Sequence, residues 1–444
     1  MADKRMSRSD SAIPRLPFPT LSTTRAMKFL RYIYSVKNKD VFHKEVNILG
    51  IRFKIKREFM VKRPYDDIPI QPNKIVFRSV LSGYSCNPKY IAEEILRRKL
   101  PYDLVWIVDK NVLKYIKDFP EGVRLVMFGT PDVIQELSTA RIWITNGWLL
   151  PFVRKGILTR EGQTYIQTWH GSLGFKKLNW QAAHPGATTQ KLLGYDMQQM
   201  DYLISNAAWE TDIYKEAFAQ SRADILELGH ARNDVFFGEK QSILRRKVYE
   251  RLGLSDDTRL LLYAPTWRES KDFSCFNLDY EALLAAITRR FGGKWQLAAK
   301  WHPSHDAGYK NKFLPTGAPV LNVSDYIDTQ ELMAAADILI TDYSSCILDF
   351  MFTRRPGFLY APDYRDYEKT RGLCYPLEEA PFPIAEDNET LVQNIEQFNT
   401  EAYTAKVDAF LAAKGCMEDG HAAERVVDLI QSIIAEDNSH HTTP

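Results

Sequence analysis

Residues 74–108 read KIVFRSVLSGYSCNPKYIAEEILRRKLPYDLVWIV, and this stretch decides the fold class. Segments 74–80 and 103–108 are short, apolar and rich in β-branched residues, which is the composition of strands. Between them residues 88–98 carry apolar side chains at helical spacing. Asn87 stands at the N-cap position and Pro88 at the first helical position. Strand, helix and strand in that order make a βαβ unit, which joins parallel strands.

The alternation continues outward. Residues 124–128, 141–145, 164–167 and 202–205 read as strands, with helices over 131–140 and near 210–218. A break falls near 233–239, followed by a connecting helix over 241–252. Strands then restart at 260–264, 295–300, 320–323, 338–341 and 357–360. After residue 385 the pattern is helical, and 436–444 reads as a tail. The expectation is an α/β protein with two Rossmann-type, doubly wound domains, 66–238 and 239–435, and a cleft between them. In open α/β sheets ligands bind beyond the carboxyl ends of the strands.

At roughly 150 residues per domain, 444 residues allow two or three domains, each large enough for its own core. The net charge of +2 hides an asymmetry: residues 1–65 hold sixteen Lys/Arg against five Asp/Glu. Such a basic extension either meets an anionic membrane surface or is a solvated tail, disordered over residues 1–24. Within it Phe29, Leu30, Ile33 and Val36 form one helical stripe over 25–37, flanked by Arg25, Lys28, Arg31 and Lys37. That helix suits a bilayer interface or a packing face on the protein equally. Residues 47–56 alternate apolar and basic, as a hairpin or edge strand does. Five cysteines, none in a CxxC pair, argue for a reducing compartment and against a zinc site. No apolar run reaches 18 residues, and the first 20 residues lack a signal-peptide core. The expected location is cytoplasmic, or peripheral on the inner face of the membrane.

The chemistry-bearing residues cluster at strand ends. His170 follows the strand 164–167, and a neutral imidazole there accepts a proton from an attacking hydroxyl. Gly171 lets a substrate approach the backbone, and Lys176 and Lys177 follow within reach of an anion. Thr266 and Arg268, in Pro265-Thr-Trp-Arg268, end the strand 260–264, where a guanidinium suits phosphate oxygens. His302 ends the strand 295–300, with Pro303 fixing the turn. Thr341, Asp342, Ser344 and Ser345 lead into a helix containing Asp349, which is placed to orient a ribose or a serine. Arg371, beside Gly372, lies in a loop able to close over a ligand. Singly, each has a structural explanation: a hydrogen-bonded histidine, a surface arginine, an N-cap serine. Together, at the ends of successive strands, they read as an anion-handling site. There is no Gly-x-Gly-x-x-Gly fingerprint, no Walker loop, and no Asp-x-Asp pair.

These motifs resemble the CDP-glycerol glycerophosphotransferases, the teichoic-acid primase and polymerase type. The matching segments are Gln167-Thr-Trp-His-Gly171 with Lys176-Lys177, Arg232-Asn-Asp234, Tyr263-Ala-Pro-Thr-Trp-Arg268, Lys300-Trp-His-Pro303, Ile340-Thr-Asp-Tyr-Ser-Ser345 with Asp349, Arg355-Pro356 and Arg371-Gly372. Gly83-Tyr-Ser-Cys-Asn-Pro-Lys89 resembles the family's first-strand loop, and the similarity spans about residues 74–380. The resemblance implies a GT-B-like fold and transfer of glycerol phosphate from CDP-glycerol, or a related CDP-polyol, to a hydroxyl, with release of CMP. The acceptor is a cell-surface glycan, a lipid-linked acceptor or a polyol phosphate.

By position His170 resembles the general base. His302, Arg268, Thr341, Ser344 and Ser345 resemble pyrophosphate and nucleotide contacts, with His302 grouped with His170 as catalytic. Thr266, Asp342, Asp349 and Arg371 complete the expected donor set; Gly171, Ser172, Lys176 and Asn87 form the expected acceptor set. No metal and no cofactor is implied, and no nucleic acid. Two positions depart from the family: Ala231 stands where proline is frequent, and Ser172-Leu173-Gly174 where Thr-Pro-Leu is common. A glycosyltransferase using a nucleotide sugar, or a non-catalytic membrane-associated scaffold, are the rival readings.

Overall fold

The computed structural model describes residues 34–440 apart from 41–42, 57–64, 66, 81–82, 182–185, 269–273, 302–319 and 371. The chain separates into two compact units, Met1–Val61 and Lys62–Pro444. In the first, β1 (Tyr34–Asp40), β2 (His43–Ile48) and β3 (Ile51–Lys56) form an antiparallel sheet in that order. The alternating stretch 47–56 is a hairpin, turning at Leu49 (φ 50°) and Gly50 (φ 84°). Two successive positive φ values are what a two-residue type I′ connection requires. The helix expected over 25–37 is corrected at its end. Residues 34–37 lie in β1, because β2 offers an antiparallel ladder and so short a helix has little stability of its own. Residues 25–33 lie outside the described residues, as do 1–24.

The second unit holds two parallel sheets. The first comprises β4 (Gln71–Arg78), β5 (Asp103–Val108), β6 (Val123–Met127), β7 (Ala140–Thr145), β8 (Thr164–Gln167), β9 (Tyr202–Ser205) and β10 (Asp224–Glu227), ordered β10-β9-β8-β7-β4-β5-β6. The second comprises β11 (Thr258–Tyr263), β12 (Lys294–Ala299), β13 (Val320–Asn322), β14 (Ile338–Thr341), β15 (Gly357–Tyr360) and β16 (Ile384–Ala385), ordered β13-β12-β11-β14-β15-β16. In each sheet the first strand lies inside, the chain winds outward on one side, then restarts on the other. This is the doubly wound order, and it opens a crevice where the direction reverses: between β4 and β7, and between β11 and β14. The central strands are buried on both faces; every residue of β7 and of β14 is buried. Hence they read as continuous apolar runs instead of alternating ones.

Two helices depart from expectation. The first helix of the unit spans Cys86–Arg97 and its N-cap is Ser85, so Asn87 is inside it. The last helix spans Ala422–His440, so residues 436–440 are helical and not tail. That helix returns to the first sheet: Arg141 Nη2 donates to the Ile433 carbonyl at 3.2 Å, and Arg98 Nη1 to Gln431 Oε1 at 3.0 Å. Its start is capped by Asp234, whose two carboxylate oxygens accept from Ala422 N and Ala423 N, each at 2.9 Å. The polypeptide therefore crosses between the two sheets twice.

The junction of the sheets contains a buried ionic cluster. Lys89, on the Cys86–Arg97 helix, donates to Asp328 Oδ2 at 2.6 Å and Glu331 Oε1 at 2.5 Å, at the start of the helix Thr329–Ala335. All three are buried. Tyr90 and Tyr326 donate their hydroxyls to the same carboxylates, at 2.8 and 2.5 Å, and Lys247 reaches Glu331 at 2.7 Å. Burial alone would discharge the Lys89 ammonium, but Asp328, Glu93 and Glu331 outweigh it and raise its pKa above the ordinary value.

Candidate active site

His170 lies at the first crevice. Asn146 follows β7, and its side-chain oxygen accepts from Val80 N at 2.7 Å, tying the end of β7 to the end of β4. The Asn146 backbone carbonyl meets His170 Nδ1 at 2.6 Å. A carbonyl only accepts, so Nδ1 carries the proton and Nε2 carries the lone pair of the neutral ring. The imidazole is exposed and rests on the Trp169 ring, with centroids 4.7 Å apart. Gly147 packs closely beside it: a Cβ there would meet Val80 at 3.1 Å.

The loop presenting His170 is strained. Trp169 has φ 50° and Leu173 φ 51°, left-handed values for which L side chains carry a cost of order 1–3 kcal/mol each. Such geometry persists only where surrounding bonds over-determine it. Asn87 Nδ2 donates to the Thr168 carbonyl at 2.9 Å and the Trp169 carbonyl at 3.2 Å. Asn87 is thus a buried brace, with both ends of its amide hydrogen-bonded inside the protein. Arg232 Nη2 donates to the Gly171 carbonyl.

Ser172 follows in the same loop. It is buried, and its hydroxyl accepts from Asn206 Nδ2 at 2.9 Å. Leu173 is buried too, and Gly174 (φ 54°) packs so tightly that a Cβ would meet Ile213 at 2.9 Å. The Ser172-Leu173-Gly174 departure therefore shapes the floor of the loop. Beneath it Asn206 donates to Glu418 Oε1 at 2.9 Å, and His230 stands 3.2 Å from Glu210. Burial pushes the Glu418 carboxyl up to about 7, against the opposing pull of His230, Asn233 and Asn206. Lys176 lies further along, its ammonium 6.0 Å from the Tyr367 ring centre. Lys177 N donates to the Gly372 carbonyl at 3.3 Å and Cys374 N to the Phe175 carbonyl at 2.9 Å, so this loop is paired with the 372–374 segment of the second half.

At the second crevice the loops after β11 and β14 are stitched together. Thr341 Oγ1 donates to the Ala264 carbonyl at 2.6 Å, and Asp342 accepts from Thr266 N at 2.9 and 3.1 Å. Arg268 Nη2 donates to Asp342 at 2.8 Å and Asp363 at 3.0 Å, its Nε to Asp363 at 2.7 Å, and its Nη1 to the Thr266 carbonyl at 2.8 Å. Its guanidinium thus clamps two carboxylates, with the Tyr343 ring 4.8 Å away. Arg268, Thr341 and Asp342 are buried and hold the crevice's shape. Ser344 and Ser345 are half-buried at its edge. The helix they open, Cys346–Phe350, has five residues. That is too short for an appreciable macrodipole. Asp349 is buried against Arg232, at 2.9 and 3.2 Å, and Gln330, at 3.0 Å. Its carboxylate is hydrogen-bonded there to protein groups. His302 and Arg371 lie outside the described residues. Among the described residues no cluster of His, Cys, Asp or Glu is arranged to hold a metal ion.

Residue-by-residue reading did not single out Asn146, Asn206 or Glu418, and it gave Arg232 no role beyond its motif. Arg232-Asn-Asp234 follows β10 at the crossover between the halves. Three consecutive polar residues that are all buried have to be spending their hydrogen bonds internally.

Residues 61–432 match the family model for CDP-glycerol:poly(glycerophosphate) glycerophosphotransferase. The teichoic acid poly(glycerol phosphate) polymerase of Bacillus spizizenii is 30% identical over 375 residues, 81% of this chain and 92% of that protein. Its counterpart in Staphylococcus epidermidis is 31% identical over 391 residues, 83% of this chain and 52% of that protein. The chain therefore spans about half the length of the latter, and 54% of the Bacillus subtilis polymerase. Among solved structures, the wall teichoic acid polymerase TagF, as a His-to-Asn variant soaked with CDPG, superposes with a TM-score of 0.69 at 29% identity. That superposition covers 84% of this chain and 91% of the solved chain.

Proposed function

This chain belongs to the CDP-glycerol:poly(glycerophosphate) glycerophosphotransferase family, and on that premise we propose that it transfers glycerol phosphate from CDP-glycerol to an acceptor hydroxyl, releasing CMP. The observation that carries the reading is the His170 Nδ1 contact with the Asn146 carbonyl at 2.6 Å, which leaves the lone pair on Nε2 of an exposed ring. Nε2 takes the proton of the acceptor hydroxyl as its oxygen attacks the phosphorus bearing glycerol. The bond from that phosphorus to the bridging oxygen breaks, and CMP leaves with the electron pair. Ser344, Ser345 and the amides around Thr266 line the donor crevice. Arg268 and Asp342 keep that crevice open. Phosphoryl transfer rests mostly on positioning and charge stabilisation, which these groups provide.

The acceptor is a polyol-phosphate or glycan hydroxyl entering past Gly171 and Lys176. A peripheral place at the cytoplasmic membrane face fits the hairpin of the first unit. Its tip exposes Ile48, Leu49 and Ile51 next to Arg52. Among the described residues no helix is long and apolar enough to cross a membrane.

The test is CMP release from a panel of CDP-polyols, with and without acceptors, for the protein and for His170→Ala. Removing a general base lowers turnover roughly 10²–10⁴-fold. Turnover near normal in a folded His170→Ala protein would refute the base assignment. Absence of CMP release with every donor would refute the reaction.

A further inference from the structure

One guanidinium touches both halves of the site. Arg232 lies in the turn Ala231–Phe236, immediately before the chain crosses to the second sheet, and is buried. Its Nη2 donates to the carbonyl of Gly171, the residue after His170. The same fork holds Asp349 through Nε at 2.9 Å and Nη2 at 3.2 Å. Asp349 sits on the helix that follows Ser344 and Ser345. Arg232 N also donates to Asn87 Oδ1 at 3.0 Å, and Asn87 in turn holds the Thr168 and Trp169 carbonyls. Gln330 reaches Asp349 at 3.0 Å and Asn233 at 3.3 Å, closing the network.

We propose that Arg232 is a positioning residue that fixes the distance between the His170 loop of the first sheet and the Ser344–Ser345 turn of the second. Two features make this more than packing. The loop it grips is strained at Trp169 and Leu173, and so depends on outside bonds for its shape. And the fork is bidentate: a planar guanidinium sets direction as well as distance, which an ammonium does not. In-line attack tolerates little error, since a displacement of about 1 Å costs on the order of a hundredfold in rate. The kinetic part of this inference rests on the transferase reading; the structural part does not.

The test uses the full chain with Arg232→Lys, which keeps the charge and loses the fork, and Asp349→Asn, which keeps the volume in case the first variant does not fold. Two measurements are made. Amide hydrogen exchange in the donor-free protein reports loop order without any reaction. Steady-state CMP release reports kcat and KM for CDP-glycerol. The expected result is at least tenfold faster exchange over 168–174 and 344–350, unchanged exchange over β5 and β12, kcat lowered about a hundredfold and KM within about threefold. In Arg232→Lys, adding Asp349→Glu lengthens the partner by one methylene and restores part of kcat. Wild-type exchange at both segments would overturn the proposal. So would a kcat within threefold of wild type, or faster exchange throughout the chain. If the wild-type protein releases no CMP while the variant loosens both segments selectively, the reaction assignment fails and the coupling of the loops stands.

Discussion

Replacing Lys89 by methionine tests how the two sheets are held together. The ammonium lies between Asp328 and Glu331 at 2.6 and 2.5 Å, with all three side chains at most 5% exposed. Methionine fills much the same volume and removes the charge, leaving two carboxylates buried side by side. Breaking a buried ion pair by deleting one partner costs about 3–5 kcal/mol. With a urea slope of roughly 3 kcal/mol per M, the unfolding midpoint falls by about 1–1.7 M. Tryptophan fluorescence reads it, Trp106 packing on Tyr84 beside the cluster at 5.1 Å. The deficit has a pH signature. Losing the ammonium removes the largest pull that holds the Glu331 carboxyl down, so its folded pKa rises in the variant and the loss shrinks as pH falls. Adding Asp328→Asn removes one stranded charge and keeps an N-cap oxygen for Gln330 N, while Glu331 retains Lys247. The double variant should recover about 2 kcal/mol. A Lys89→Met midpoint within about 0.3 M of wild type, or a double variant no better than the single, would refute the reasoning.

Other expectations follow from single groups. Asp196 is fully buried, and burial raises its carboxyl to about 7 against hydrogen bonds with Leu149 and Tyr165. Its folded pKa exceeds the unfolded value of about 3.9, so its contribution to stability is present below pH 4 and lost as pH rises through 7, by up to roughly 4 kcal/mol. Asp196→Asn should flatten the stability profile across that window, as measured by urea unfolding at several pH values; an unchanged slope would exclude it as the titrating group. Ser344→Ala should weaken CDP-glycerol binding at least tenfold by calorimetry if the hydroxyl meets a phosphate oxygen, and equal affinity would place the phosphates elsewhere. Leu49→Asp with Ile51→Asp should lower partition into anionic vesicles at least tenfold by sedimentation; undiminished binding would remove the hairpin tip from the membrane contact.

The fold was legible because doubly covered parallel strands are apolar throughout and the helices between them are amphipathic. Two strands escaped that reading. β10 (Asp224–Glu227) is a half-buried edge strand with acidic ends, and β16 (Ile384–Ala385) has two residues. Neither leaves a pattern long enough to count. The end of the 25–37 stripe was misread because apolar spacing in a dozen residues does not separate a helix from a strand that finds a partner. Strand ends pointed to the two crevices as the region of the candidate site. They did not reveal which polar groups face a ligand and which hold the loops. Asn87, Ser172, Arg268 and Asp349 look on paper like groups for a substrate, yet each is committed to protein partners. That distinction depends on residues distant in sequence, such as Arg232 for Asp349 and Asp363 for Arg268, and no local window contains it.

The returning helix Ala422–His440 has a consequence for how the chain is made. Its start is capped by Asp234 and its body lies against the Cys86–Arg97 helix, yet about 200 residues of the second sheet are synthesised between them. At ribosomal rates of roughly 5–20 residues per second, the first sheet waits on the order of 10–40 s for the element that completes it. During that interval the Cys86–Arg97 helix lacks the helix that later packs beside it. The two halves therefore complete their shared packing only after the helix Ala422–His440 has been made.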